Sequence, residues 1–317
     1  MEKRSQARFK ARMIKGARPE PRFPGFVKPM KPTLMQEPPS GNKWIHEIKF
    51  DGYRTQAHMN AEGVKIYTSS GNNITDQFSS IAKDVARLPA ERLVLDGEAV
   101  AQDEQGRSSF VKMHSRAKMS AGEHLVYYVF DILYFDGFDL RDSPLVERKR
   151  VLKELFAEAG GTGAMFYSEH FEQEGANIFA LAESKGLEGI VSKRPDSRYR
   201  SGTSKSWLKV RTVQQGDFAI VGFVPAAGGH IAALYLGERD GRAIKYADNL
   251  GSGFSNEVSH KLRDRLERIA TRNSPLGPNV KKPHARWVAP VLKAHVAYKE
   301  RQPSGTLRHP SFRGLKE

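Results

Sequence analysis

From Trp44 onward the chain alternates short apolar runs with polar turns: KWIHEIKF, GVKIYTS, RLVLDGEAVA, HLVYYVFDILYF, AMFYSEHF, GIVSKR and SWLKV. Each has strand length and is rich in Val, Ile, Tyr and Phe, residues that suit a pleated, half-buried surface. Helical periods interrupt them. Ser143-Pro144 offers an N-cap with Pro in the first turn, and Leu145, Leu152, Leu155 and Phe156 mark an apolar face before Gly160-Gly161 stops the helix. A second helix is expected over about 174–185, ended by Gly186.

After Arg211 the texture changes. GDFAIVGFVP, HIAALYLGE and RAIKYADNLG read as strands separated by AAGG and RDGR turns; Ser255 then caps a helix carrying Val258, Leu262, Leu266 and Ile269 on one face, and ARWVAP and AHVAYKE close the pattern as strands. Five strands with one helix between the third and the fourth is the element order of a small Greek-key barrel of the OB type. The expected class is therefore α+β, a mixed-sheet domain over 33–212 followed by an OB domain over 213–317. Residues 1–32 interleave charge with Pro and Gly and show no period, so they read as an extended or disordered arm without a core.

Charge sharpens this picture. Of the net +15, residues 1–32 carry +8 and residues 279–317 carry +7, leaving the middle neutral. An internal stretch, 184–211, adds eight Lys/Arg against two acids. Such a distribution suits a grip on a phosphate backbone, where each neutralised phosphate releases counterions. The 317 residues contain no Cys, which excludes disulfide scaffolds, Cys-ligated zinc and thiol catalysis together. No apolar run approaches the roughly 18 residues of a membrane helix, and a cytoplasmic, nucleoid-associated protein is expected.

Five short segments carry candidate chemistry: EIKFDGYR (Glu47 to Arg54), LDGEA (Leu95 to Ala99), VFDILYFDG (Val129 to Gly137), EGIVSK (Glu188 to Lys193) and WLKVR (Trp207 to Arg211). The first places an amine beside an Asp-Gly turn. In this order and spacing the set resembles the motifs of the covalent nucleotidyltransferases, and within them the ATP-dependent DNA ligases. The segments KPMKPTLMQEPPSGNKWIHEIKFDGYR and RWVAP…GTLRHPSFRGL are further similar to the ligase module of bacterial end-joining ligases, so the resemblance runs from about residue 28 to the C-terminus.

That resemblance implies a nucleotidyltransferase adenylation domain and a set of roles. Lys49 would attack the α-phosphate of ATP and form a lysyl-adenylate. A free lysine has a pKa of about 10.4, so the site must favour the neutral amine; Lys209, Arg211 and a divalent metal would do so. Mg²⁺ (or Mn²⁺) fits because it needs one or two carboxylates, with Glu188 the expected ligand and Asp51 a second. Glu98 would accept hydrogen bonds from the ribose, Phe130 would stack on adenine, and Glu47 would belong to the nucleotide site. Arg54 would hold the 5′-phosphate of a nick with its guanidinium fork, and Arg194, Arg198 and Arg200 would track the DNA backbone. Asp131 stands among apolar neighbours and needs a partner if buried.

Two positions depart from the family pattern. Ser69 stands where an Arg is usual and Asn73 where an Asp is common, which weakens the expectation of tight nick sensing. The ending Gly314-Leu315-Lys316-Glu317 replaces the usual Gly-Leu-Arg-x-Asp-Lys, from which slow self-adenylation is expected. An RNA ligase or guanylyltransferase of the same superfamily, or a degenerate DNA-binding module, remain the alternatives. A monomer acting on nicked or broken duplex DNA, with a Ku-type end-binding partner, completes the expectation.

Overall fold

The computed structural model describes residues 13–316 apart from 103–123, 162, 242, 277–279, 281, 283, 300 and 303. The chain forms two units, Met1–Thr212 and Val213–Glu317. In chain order the first holds β1 (Arg18–Pro19), β2 (Met30–Leu34), β3 (Ile45–Ile48), β4 (Tyr53–Asn60), β5 (Gly63–Thr68), α1 (Ser79–Val85), β6 (Leu93–Gln102) and β7 (His124–Phe135). It continues with β8 (Phe138–Asp139), α2 (Leu145–Glu158), β9 (Met165–Tyr167), β10 (His170–Phe171), α3 (Gly175–Ser184), β11 (Gly189–Lys193) and β12 (Gly202–Arg211).

Two sheets result. The larger runs β1-β8-β7-β6-β4-β5 with β9 parallel to β7, and the smaller runs β10-β3-β11-β12-β2. The long apolar runs of β6 and β7 lie at the centre of the larger sheet, buried on both faces. Alternation then divides their side chains: Leu93, Leu95 and Val129 join one core with Val151, Leu152 and Leu155 of α2, while Val94 and Leu133 join another with Ile45 and Trp207 of the smaller sheet. Asp131 and Arg148, both fully buried, form a bidentate pair at 2.7 and 2.8 Å, which supplies the partner the sequence required.

Three sequence expectations are corrected here. Ser143 does not cap α2; Pro144 occupies that position in extended conformation, and the carbonyl of buried Ser143 accepts from Arg148 Nη1 at 2.6 Å. Residues 13–32 are not a coreless arm: Ile14, Val27 and Met30 are buried, β1 pairs with β8, and β2 adds a parallel strand beside β12. Scattered apolar anchors replace a period in this segment, so pattern reading passes over it. Residues 1–12 lie outside the described residues.

The second unit holds β13 (Gln214–Pro225), β14 (Ile231–Asp240), β15 (Ala243–Leu250), α4 (Asn256–Glu267), β16 (Arg286–Trp287), β17 (Lys293–Tyr298) and β18 (Ser311–Lys316). Its strand order is β15-β14-β13-β17-β18, with β16 attached to β13. Ser255 caps α4 by accepting from the Val258 N–H, and Leu262 and Leu266 are buried as their spacing predicts. Val258 is instead exposed. The third correction concerns the last strands: ARWVAP yields only the two-residue β16, and the closing strand is β18, hidden in SFRGLK by its mixed polarity.

Candidate active site

The site is built by period-two alternation across three neighbouring strands. β11 lies antiparallel between β3 and β12, with Val191 opposite both Glu47 and Lys209, and Lys193 opposite both Ile45 and Trp207. Cross-strand partners share a face, so Glu47, Val191, Lys193, Trp207, Lys209 and Arg211 point to the same side of the sheet. Lys49 follows the last residue of β3, and its N–H donates to the Gly189 carbonyl at 2.9 Å. Arg54, Glu98 and Phe130 arrive from β4, β6 and β7 of the larger sheet. Together these residues line a cavity of about 180 Å³.

Two glycines make the geometry possible. Gly189 has φ +140°, and a Cβ there would meet the Val210 carbonyl oxygen at 2.0 Å. Gly52, in the turn after Lys49, would place a Cβ 2.1 Å from the Ala99 carbonyl oxygen, so only glycine lets that turn approach β6.

Lys49 Nζ donates to Glu188, whose carboxylate also lies 3.8 Å from Arg211 Nε. Burial, then the charges of Arg211 and Lys49, lower the Lys209 pKa. Glu98 is half-buried; burial raises its carboxyl to about 7 against the opposing pull of Lys49 and Arg54. Phe130 has Lys193 Nζ at 4.4 Å and the Arg54 guanidinium at 5.2 Å from its ring centre, with Trp207 edge-on at 6.1 Å. Trp207 is 1% exposed, and its Nε1 has no hydrogen-bond partner among the described residues.

The expected residues thus fall into three groups. Lys49, Glu98, Phe130, Lys209 and Arg211 line the cavity, with Glu188 against Lys49. Glu47 and Arg54 also reach the wall but are committed to the chain itself. Glu47 is 2% exposed, and its carboxylate takes Lys149 at 2.9 Å, Lys193 at 2.8 Å and the Ser168 hydroxyl at 3.0 Å; burial opposes its charge, but the two lysines prevail and lower its pKa. Both oxygens therefore face buried lysines, although Oε1 has no hydrogen-bond partner among the described residues, and Glu47 holds Lys149 and Lys193 in place. Arg54 gives Nε and Nη2 to buried Asp96 at 3.1 and 2.7 Å, so its fork is engaged and only its remaining N–H groups can serve a phosphate. Burial disfavours the guanidinium charge, yet Asp96 outweighs burial and holds the pKa above the arginine value.

Asp51, in the turn after Lys49, is not among the lining residues. Arg194, Arg198 and Arg200 lie elsewhere, around a surface groove with Trp44. Asn73 accepts from the Thr75 N–H at 3.0 Å and its hydroxyl at 2.6 Å, which gives it a local turn-forming role. Sequence reading missed Lys193, Asp96 and Trp207. Each sits inside a motif already singled out, so its polar or aromatic character within an apolar run was the available signal. Burial lowers the Lys193 pKa to about 8 against the attraction of Glu47. Among the described residues no cluster of three or more His, Cys, Asp or Glu is placed to hold a metal unaided.

Comparisons with known proteins decide the family. Residues 27–211 match the ATP dependent DNA ligase domain, and residues 227–317 match the ATP dependent DNA ligase C terminal region. The chain belongs to the ATP-dependent DNA ligase family. It is 35% identical over 306 residues to the multifunctional non-homologous end joining protein LigD of Pseudomonas aeruginosa, covering 93% of this chain and 36% of that protein. This ligase chain thus spans about a third of the length of that relative. It is also 30% identical to the SPbeta prophage-derived DNA ligase-like protein LigB of Bacillus subtilis, with 90% and 98% covered. Among solved structures it resembles mycobacterial DNA ligase D complexed with ATP and MES, at 30% identity and a TM-score of 0.55 over 92% of this chain and 95% of that one. The family and this structural match give the fold, a nucleotidyltransferase domain followed by an OB-fold domain. Among the described residues no helix is long and apolar enough to cross a membrane.

Proposed function

We propose that this ligase seals breaks in duplex DNA through a covalent intermediate on Lys49. The observation that carries the reading is the placement of Lys49 at the end of β3, against Glu188, in a cavity walled by Glu98, Phe130 and Lys209. The Nζ lone pair attacks the α-phosphorus of ATP, a P–N bond forms and pyrophosphate departs with the electrons of the broken P–O bond. The AMP passes to a 5′-phosphate, and the neighbouring 3′-hydroxyl displaces it to close the strand. Lys209 and Arg211 set positive charge beside the phosphates and disfavour a second cation at position 49. Glu98 accepts from the ribose and Phe130 packs the base.

Glu188, the carboxylate against Lys49, would hold Mg²⁺ or Mn²⁺, which needs only one or two protein carboxylates. When bound, such an ion supplies charge neutralisation on the phosphates. In this reading residues 33–212, with 13–32 packed against them, form the adenylation domain, and 213–317 form the OB domain. Similarity to LigD proteins, named for non-homologous end joining, supports a role in end joining; in this reading the chain works at the nucleoid beside a Ku-type end-binding protein.

The test is incubation with α-labelled ATP and Mg²⁺, then a chase with nicked duplex. Wild type should yield an AMP-labelled band that the nick discharges; Lys49→Ala should yield none. Labelling of Lys49→Ala at another lysine, preference for GTP, or discharge only by nicked RNA would overturn the assignment.

A further inference from the structure

β3 and β11 carry Lys49 and Glu188 at one end of their pairing. At the other end, where Lys193 faces Ile45, stand Trp44 and Arg194. Five residues of extended chain, at about 3.3 Å each, put this end about 16 Å from Lys49. A surface groove of about 650 Å³ opens here, lined by Trp44, Arg194, Arg198, Arg200, Lys205 and three serines, with Asp196 as its acid. The Arg194 N–H is fixed to the Ser206 carbonyl at 2.9 Å, and its guanidinium lies 5.6 Å from the Trp44 ring centre. Its contact to Asp196 is long, at 3.4 Å. Arg200 is paired with Asp142, whose carboxyl also feels the charge of Arg198 nearby, and no ion pair is formed by Lys205 among the described residues.

Cations alone would fit any phosphate backbone. The indole adds something a duplex cannot use, because paired bases keep their faces inside the stack. An unpaired base exposes a π-face, and aromatic side chains in basic grooves hold such bases with little sequence preference. We infer that this groove binds an unpaired nucleotide a few nucleotides from the break, with Trp44 as the stacking platform and Arg198 and Lys205 on the flanking phosphates. The distance corresponds to about five stacked nucleotides at 3.4 Å each. The substrates this site favours are therefore breaks with a short single-stranded tail, in preference to flush nicks. The inference rests on the strand-sealing reading for its purpose, but the binding it describes needs no nucleotide cofactor.

The test uses the full chain without ATP and two duplex probes, one flush and one with a five-nucleotide tail carrying 2-aminopurine. Binding should quench the 2-aminopurine. Trp44→Ala should weaken tailed DNA about tenfold or more and leave flush DNA unchanged. Trp44→Phe should keep most of the affinity. Lys205→Glu should weaken tailed DNA yet retain the quench at saturation, which covers the case of a poorly folded Trp44→Ala. Equal losses on both probes, or no loss on the tailed one, would overturn the inference. Labelling by ATP in the Trp44 and Lys205 variants should match wild type. Failure of wild type to label would instead defeat the strand-sealing reading and leave tail binding standing.

Discussion

Glu98 stands where burial raises its carboxyl to about 7, so at pH 8 the folded chain holds a carboxylate in a place that favours the neutral acid. Between pH 4.5 and 7 the folded state binds a proton that the unfolded state has already released. Stability at this position therefore falls as pH rises through that window. The displacement from the usual 4.5 to about 7, at 1.36 kcal/mol per pH unit, amounts to about 3 kcal/mol above pH 7. Glu98→Gln keeps the shape and removes the charge at every pH. It should match wild-type stability below pH 4.5 and exceed it by up to about 3 kcal/mol at pH 8. The same change removes the charged acceptor offered to the ribose, so ATP labelling should fall about tenfold or more. Urea unfolding of both proteins at pH 4.5, 6 and 8 measures the first effect, and single-turnover labelling measures the second. A stability difference that does not change with pH, or a variant less stable than wild type at pH 8, would refute the burial argument.

Three further outcomes test the framework around the site. Arg148→Met strands buried Asp131 and should cost about 3–5 kcal/mol in denaturant melts, whereas adding Asp131→Leu should recover much of it. Gly189→Ala forces a Cβ onto the Val210 carbonyl and should shift Glu188 away from Lys49, so AMP labelling should drop more than a Gly314→Ala control, where nothing stands within 4 Å. Deleting residues 1–12, which carry five Lys/Arg and one acid, should preserve labelling and flatten the salt dependence of DNA binding. Deleting 1–27 should also destabilise the first unit, because Ile14 and Val27 leave its core; equal melts for the two deletions would sink this reading.

Legibility followed the chemistry of each segment. Strands β6, β7, β11 and β13 were visible because their runs are nearly all apolar or alternate cleanly. β4 was not: YRTQAHMN buries Thr55, Gln56 and His58 alongside Ala57 and Met59, and Gln56 earns its place by donating to the Val27 carbonyl at 2.7 Å. A polar side chain satisfied by a distant backbone looks, in sequence, like a loop. β2 and β18 failed for a related reason, since Lys, Pro and Arg within five or six residues conceal a ladder that pairs through the backbone. At the site, the motifs located Lys49, Glu98, Phe130 and Glu188, but the uses of Glu47 and Arg54 depended on partners far away in sequence, Lys149 and Asp96.

Asp96 is fully buried and takes Arg54 through two nitrogens and the Tyr199 hydroxyl at 2.6 Å, while Tyr199 accepts from the Met30 N–H at 3.1 Å. Glu47 likewise fixes Lys193 against Phe130 and Trp207. Asp96 and Glu47 thus hold Arg54 and Lys193 at set positions in the cavity wall before any phosphate enters. Removing one leaves its buried cation unpaired, a cost larger than the contact itself. Asp96→Asn should accordingly loosen Arg54 and weaken transfer of AMP to DNA more than formation of the lysyl-AMP, since Lys49 and Glu188 do not depend on it. Equal losses in the two half-reactions, measured separately on the same preparation, would show that Arg54 serves the nucleotide rather than the strand.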